Sequence, residues 1–134
     1  MTNTQERRLI LPFPPVSKKN SQRILRRGNG GAFIAPSAKY VEYERDAVQY
    51  IRLMGIKPVE EPFPVNVKAV FYMPTARRCD LVNLLEALDD VLVKAGILLD
   101  DNYKVIAGHD GSRVEVDRNE PRTEVTITAA ESEG

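Results

Sequence analysis

Six carboxylates fall in one segment, ARRCDLVNLLEALDDVLVKAGILLDDN at 76–102: Asp80, Glu86, Asp89, Asp90, Asp100 and Asp101. Carboxylate oxygens are the ligands of hard divalent cations such as Mg²⁺, which take a few of them together with waters and a phosphate. An ion held in this way lowers the pKa of a bound water and stabilises charge on the oxygens of a phosphodiester under attack. The candidate ligands come from three local settings. Asp80 stands just before an apolar-periodic run, where it can cap a helix; Glu86 lies inside that run; Asp100 and Asp101 close an otherwise apolar stretch, GILLDDN. A capped aspartate, a helical glutamate and a paired aspartate can converge on one cation. The plainer alternative is that Asn83, Glu86, Asp89 and Asp90 form the wet face of an amphipathic helix. No Ser–His or Cys–His arrangement offers a side-chain nucleophile. The single histidine, His109 in AGHDGS, reads as a surface residue of a polar turn, and Cys79 as an ordinary buried or half-buried thiol.

These residues need a scaffold. Leu81, Leu84, Leu85, Leu88, Val91, Leu92 and Ala95 recur at helical spacing after Asp80, with Gly96 as the residue that ends the helix. Upstream, PVNVKAVFYMP alternates as a strand and is stopped by Pro74. A first helix is expected over PSAKYVEYERDAVQYIRLMG, with Ser37 as N-cap, Gly55 as its end, and Val41, Ala47, Val48, Ile51 and Leu53 as its core stripe. Tyr43 and Tyr50, a heptad apart on it, suit core or dimer packing. Leu9 to Leu11 read as a strand stopped by Pro12, Pro14 and Pro15. VSKKNSQRILRRGNGGAFIA reads as a mobile basic loop or splayed hairpin with AFIA as its return strand. ILLDDN reads as a short extended piece, YKVIAGHDGSRVEVDRN as a strand followed by a polar stretch, and TEVTITA as a final strand. The sum is an α+β fold: one small domain over 1–134 with a mixed sheet, two main helices and frayed ends at 1–8 and 130–134.

Composition narrows the function. The formal charge is zero, but residues 1–78 carry 14 Lys+Arg against 6 Asp+Glu, whereas 79–134 carry 5 against 13. That polarity fits a basic surface for a polyanion beside an acidic cluster, or two solvated faces that pair with each other. No apolar run is long enough to span a bilayer. The first residues lack a signal peptide's apolar stretch, and one cysteine makes no internal disulfide. A cytoplasmic protein with no membrane partner is expected.

Three segments carry a resemblance. LPFPP at 11–15, MPTARRCDLVNL at 73–84 and DVLVKAGILLDD at 90–101 resemble the RusA-type Holliday junction resolvases. These are endonucleases that act in DNA recombination and repair. The likeness runs from about Leu9 to the last strand. It implies a homodimer that resolves four-way DNA junctions, a requirement for Mg²⁺ or Mn²⁺, and a site of three aspartates and one lysine. Carried over by position, Asp80 is the first aspartate of the motif, Asp101 the later one with Asp100 beside it, and Asn83 the supporting asparagine. Contacts to DNA phosphates are expected from Lys18, Lys19, Arg23, Arg26, Arg27, Arg77 and Arg78.

Two positions depart from the pattern. Val82 stands where the family carries its second aspartate, and Glu86 where it carries the lysine. Positions 82 and 86 lie one helical turn apart, and Cβ atoms point back toward a helix's N-terminus. Glu86 is therefore expected to serve as a relocated ligand, with Asp80 and Asp101 as the other catalytic carboxylates and Asp100 as a further metal ligand. The competing expectation is a degenerate relative that binds branched DNA without cutting it.

Overall fold

The computed structural model describes residues 6–17, 23–35, 37–60 and 63–130. Nine elements follow one another: β1 (Arg7–Leu11), β2 (Arg23–Arg26), β3 (Ala32–Ala35), α1 (Ala38–Leu53), β4 (Val65–Met73), α2 (Leu81–Lys94), β5 (Ile106–Gly108), β6 (Arg113–Val116) and β7 (Arg122–Ala129). The α+β fold with a mixed sheet and two helices is as the sequence reads.

β4 is the centre of the sheet. β7 pairs antiparallel along one edge of it, and β1 pairs antiparallel with β7. The other edge is shared: β5 pairs parallel at Val65 and Asn66, and β6 pairs parallel from Val70 to Met73. β4, α2 and β5–β6 thus form a β–α–β unit, in which the helix must run back along the strand it follows. The N-terminus of α2 lies toward the end of β4, and its C-terminus toward the start.

Period-two alternation puts Val65, Val67, Ala69 and Phe71 of β4 on one face, with Leu9 and Leu11 of β1 and Val125 and Ile127 of β7. Both helices close that face in one core, with Tyr40, Tyr43, Ala47 and Ile51 from α1 and Leu84, Leu88, Val91 and Leu92 from α2. The caps are those the sequence predicts. Ser37 Oγ accepts from Tyr40 N at 3.1 Å, and Asp80 Oδ1 accepts from Val82 N at 3.0 Å. On the opposite face Tyr72 lies beneath the Arg122 guanidinium, 3.9 Å from the ring centroid. Arg122 is held there by Asp117 at 2.9 Å and Glu124 at 2.7 Å.

Three expectations change, and the basic segment takes the hairpin form with AFIA as return strand that the sequence offers. The stripe of α1 runs through Tyr40, Tyr43, Ala47 and Ile51, while Val41 and Leu53 face solvent. Two tyrosines replace aliphatic residues as its first core contacts, and Tyr50 packs edge-on against Phe13 with ring centroids 5.8 Å apart. The basic segment forms the hairpin β2–β3, closed by Arg27 N on Gly31 O and by Gly30 in the left-handed region at φ 92°. ILLDDN is not extended: Ile97 and Leu98 both donate to Leu92 O and turn inward into the core. The polar stretch after Gly108 contains β6. This edge strand buries little, and only Val114 packs against the core.

Leu88 is fully buried between α2 and the sheet. Leu88→Ala is expected to cost about 2–5 kcal/mol, read as a clear drop in the thermal midpoint. Val82→Ala, two residues after the cap and solvent-exposed, should change it by no more than about 0.5 kcal/mol.

Candidate active site and nucleic-acid surface

The segment before α2 builds one end of the site. Pro74 ends β4, and 75–79 cross from the sheet edge to the helix cap. Arg77 and Arg78 are exposed on this crossing and Cys79 is half-buried. Among the described residues neither arginine side chain meets a carboxylate, whereas Arg113, Arg122 and Lys94 each have one at 2.7–2.9 Å. Asp80 commits one oxygen to the cap. A cavity of about 620 Å³ opens beside it, lined by Arg78, Cys79, Asp80 and Leu81. The two exposed guanidiniums can take a phosphate edge-on, beside a carboxylate that has one oxygen held by backbone.

The other acidic end lies past the C-terminus of α2. Asp101 N donates to Asp100 Oδ1 at 2.7 Å, and Asn102 Nδ2 donates to Asp100 Oδ2 at 3.1 Å. The backbone N–H of Asp101 holds the Asp100 carboxyl below the usual carboxylate range. Asp101 moves the other way, pushed up first by partial desolvation, then by its hydrogen bond to Asp100 and by that group's charge, with Asp90 adding repulsion. Asp90, in the last turns of α2, therefore belongs to this end.

The two ends do not meet. α2 has 14 residues, and a rise of 1.5 Å per residue puts roughly 20 Å between its termini. Asp80 caps one terminus, Asp100–Asp101 follow the other in sequence with Asp101 in reach of the Asp90 charge, and Glu86 lies on the exposed face of the helix. Among the described residues no group of three or more His, Cys, Asp or Glu could hold a metal ion. Asp80, Glu86, Asp100 and Asp101 form no such group among the described residues of one chain. A glutamate can bridge one helical turn, but Asp80 and Asp90, the helix residue whose charge reaches Asp101, are separated by about 15 Å of helix rise. The donor chemistry suits Mg²⁺; the spacing within one chain does not.

The remaining expected residues distribute as follows. Lys18 and Lys19 lie outside the described residues. Arg23 and Arg26 fall on β2, and Arg27 begins the turn that follows. Asn83 is half-buried in the first turn of α2.

Asp89 corrects the expected wet face of α2. It is 7% exposed, and both of its oxygens lie on His109 Nε2, at 2.8 and 3.1 Å. Position 89 flanks the apolar stripe instead of opposing it, and the turn after β5 folds over it. His109 is therefore a half-buried tie between helix and turn. The signal available in the sequence was an aspartate one turn from Leu85 and Leu92, with one histidine in the chain to neutralise it. The same turn is knitted to β4 by Asn66, which accepts from Asp110 N at 2.8 Å and donates to Asp110 O at 3.2 Å.

This α+β fold sets an acid at the cap of the helix of a β–α–β unit and two exposed arginines just before it. The chain belongs to the endodeoxyribonuclease RusA family, whose model matches residues 12–128. It is 35% identical over 102 residues to a crossover junction endodeoxyribonuclease RusA of Shigella sonnei, covering 73% of this chain and 79% of the relative. The Escherichia coli K12 protein of the same name is 34% identical, and that of Enterobacteria phage 82 is 35% identical, over the same shares.

The Asp89 hydrogen bond raises the His109 pKa above its ordinary value of 6.5, against the lowering by burial, and Asp110 adds to the rise. A raised folded-state pKa contributes stability that is complete below about 6.5 and is lost as pH climbs through the folded value. The denaturant midpoint of the wild type is thus expected to fall as pH rises from 6 to 8, and His109→Gln should remove that slope. An identical slope in the variant would assign it to other groups.

Proposed function

We propose that the chain is a structure-specific endodeoxyribonuclease that resolves four-way DNA junctions in the cytoplasm and works as a homodimer in which each copy completes the other's acidic site. The relatives' names support the activity, and the observation that carries the dimer is the length of α2. A two-fold axis that sets two α2 helices antiparallel would bring the N-terminal end of one beside the C-terminal end of the other. Asp80 of one copy would then face Asp101 of the second.

The surfaces at the two ends suit each other. Val82, 65% exposed, adjoins Asp80, while Leu99 and Tyr103, 77% and 78% exposed, flank Asp100 and Asp101. Arg77 and Arg78 supply positive charge at the first end, and Asp90, Asp100 and Asp101 supply negative charge at the second. Apolar contact with opposite charge around it is what an isologous interface needs. Mg²⁺ or Mn²⁺ is the cofactor this reading implies, and one chain alone does not fit it. The chain's own part is clearer. Arg77 and Arg78 take phosphates, the β2–β3 hairpin adds cations along the backbone, and Asp80 presents a carboxylate whose orientation the helix cap fixes.

Val82 and Glu86 favour a second reading, in which the protein binds the junction and leaves it intact. A labelled four-way junction with Mg²⁺ or Mn²⁺ separates the two: nicks support the nuclease, and binding without nicks under both ions supports the second reading. If the second reading held, Val82→Asp would be the variant expected to gain cleavage.

The shared site has its own test. Asp80→Asn and Asp101→Asn should each abolish nicking alone. Mixed and refolded together, they should recover part of it, because one of the two sites in a mixed dimer keeps both aspartates. Recovery absent from a mixture shown to exchange subunits would place both acids in one chain's site. Junction affinity should also fall steeply with salt, and Arg78→Gln should lower the slope of log K against log salt by about 1.

A further inference from the structure

A second cavity adjoins the one at Asp80. It encloses about 340 Å³ and shares Arg78 and Cys79 with its neighbour. Four parts of the chain meet around it: the proline-rich segment after β1, the start of α1, the end of β4 and the start of α2. Its inner wall is apolar, with Val16 and Leu84 buried and Pro74 half-buried beside them. Its rim carries Lys39, Arg77 and Arg78, all exposed, and among the described residues no carboxylate lines it.

The volume sits at the lower end of small-molecule pockets. An apolar floor under three cations asks for a ligand with a flat uncharged body and an attached anion. A nucleobase with its phosphate has that form. Arginine guanidiniums stack on base faces and bind phosphate edge-on, and Lys39 adds a point charge. A base inside an intact duplex cannot enter such a pocket, because its face is stacked and its edge is paired. Extrusion costs a few kcal/mol and is least costly for a base already unpaired or poorly stacked. The branch point of a four-way junction is where strands turn and stacking is broken.

We infer that this cavity is a subsite for one nucleobase displaced from the DNA strand at the branch point, with its phosphate on Lys39, Arg77 and Arg78. The inference rests on the proposal that the protein binds branched DNA. It gives that proposal a source of structural selectivity: duplex DNA would meet the same cations but leave the pocket empty. It also orients the strand, since a base seated here sets its neighbouring phosphodiester beside Asp80.

The test uses junctions carrying 2-aminopurine, whose fluorescence rises when it unstacks, at the branch point or within an arm. Wild-type protein without divalent metal is expected to raise the signal of the branch-point probe and leave the arm probe unchanged. Thr75→Trp fills the mouth of the pocket from an exposed position and should lose that rise, while its thermal midpoint stays near the wild-type value. Deoxynucleoside monophosphates, added at concentrations that saturate a small-molecule site, should not displace the junction. A junction that binds with no change at the branch-point probe would overturn the subsite and leave the nuclease proposal standing. A rise that survives in Thr75→Trp would overturn it as well. Displacement by monophosphates would make the cavity a free-nucleotide site. Failure to bind the junction at all would end both proposals.

Discussion

The constraint on which the rest depends is that α2 is a rigid rod buried along one side. Its stripe of Leu84, Leu88, Val91 and Leu92 is sealed against β4, so the helix can neither bend nor slide without exposing the core. A sealed helix of 14 residues is a ruler. It keeps Asp80 at the end of β4 and Asp90, whose charge reaches Asp101, about 15 Å further along the rod. The carboxylates that sequence places close together are held apart by the element that organises them. A second copy is the simplest object that can reverse this, because a two-fold axis exchanges the ends of a rod.

The charges divide along the same line. Where the chain needs cations for its own fold, it pairs them. Lys94 holds Glu44 at 2.8 Å and so ties α2 to α1, and Arg122 stitches β7 to the turn before it while covering Tyr72. Such pairs are partly exposed and individually weak, and their effect is positional. Among the described residues Lys39, Arg77 and Arg78 pair with no carboxylate. They stand around the mouths of two adjoining cavities and stay available to an anion. The basic first half of the sequence is thus only partly a solvated face.

Much of this was legible in the sequence, and the parts that were not share a cause. Helix periodicity after Asp80 gave α2 with its cap, and alternation gave β4 and β7, because each of these buries a regular face. β6 escaped notice because its alternation, Arg113–Val114–Glu115–Val116, is short and stands between polar turns. The inward turn of Ile97 and Leu98 was hidden because an apolar pair after a helix-ending glycine fits a strand equally well. Asp89 was placed on the wet face because its partner is 20 residues away, and only the fold says that the turn at His109 lies over the helix. For the site, local spacing grouped the candidate acids, but it carried no information about how far apart the folded helix would hold them.

The departures at 82 and 86 look different once the two ends are separated. Replacing an aspartate by Val82 removes one negative charge at the capped end of α2, and replacing a lysine by Glu86 removes a positive charge and adds a negative one. The local sum changes by a single charge, and the lost cation has neighbours that can substitute for it in Lys39, Arg77 and Arg78. What changes more is the surface. A charged side chain at 82 would have to be kept in water or paired, whereas the exposed valine can be covered at little cost in desolvation. Its position beside Asp80, mirrored by Leu99 and Tyr103 beside the other acids, makes the ground around each half of the site apolar. Under the proposed two-fold pairing that apolar ground would be covered, and that would lower the dielectric around whatever charge the assembled site holds.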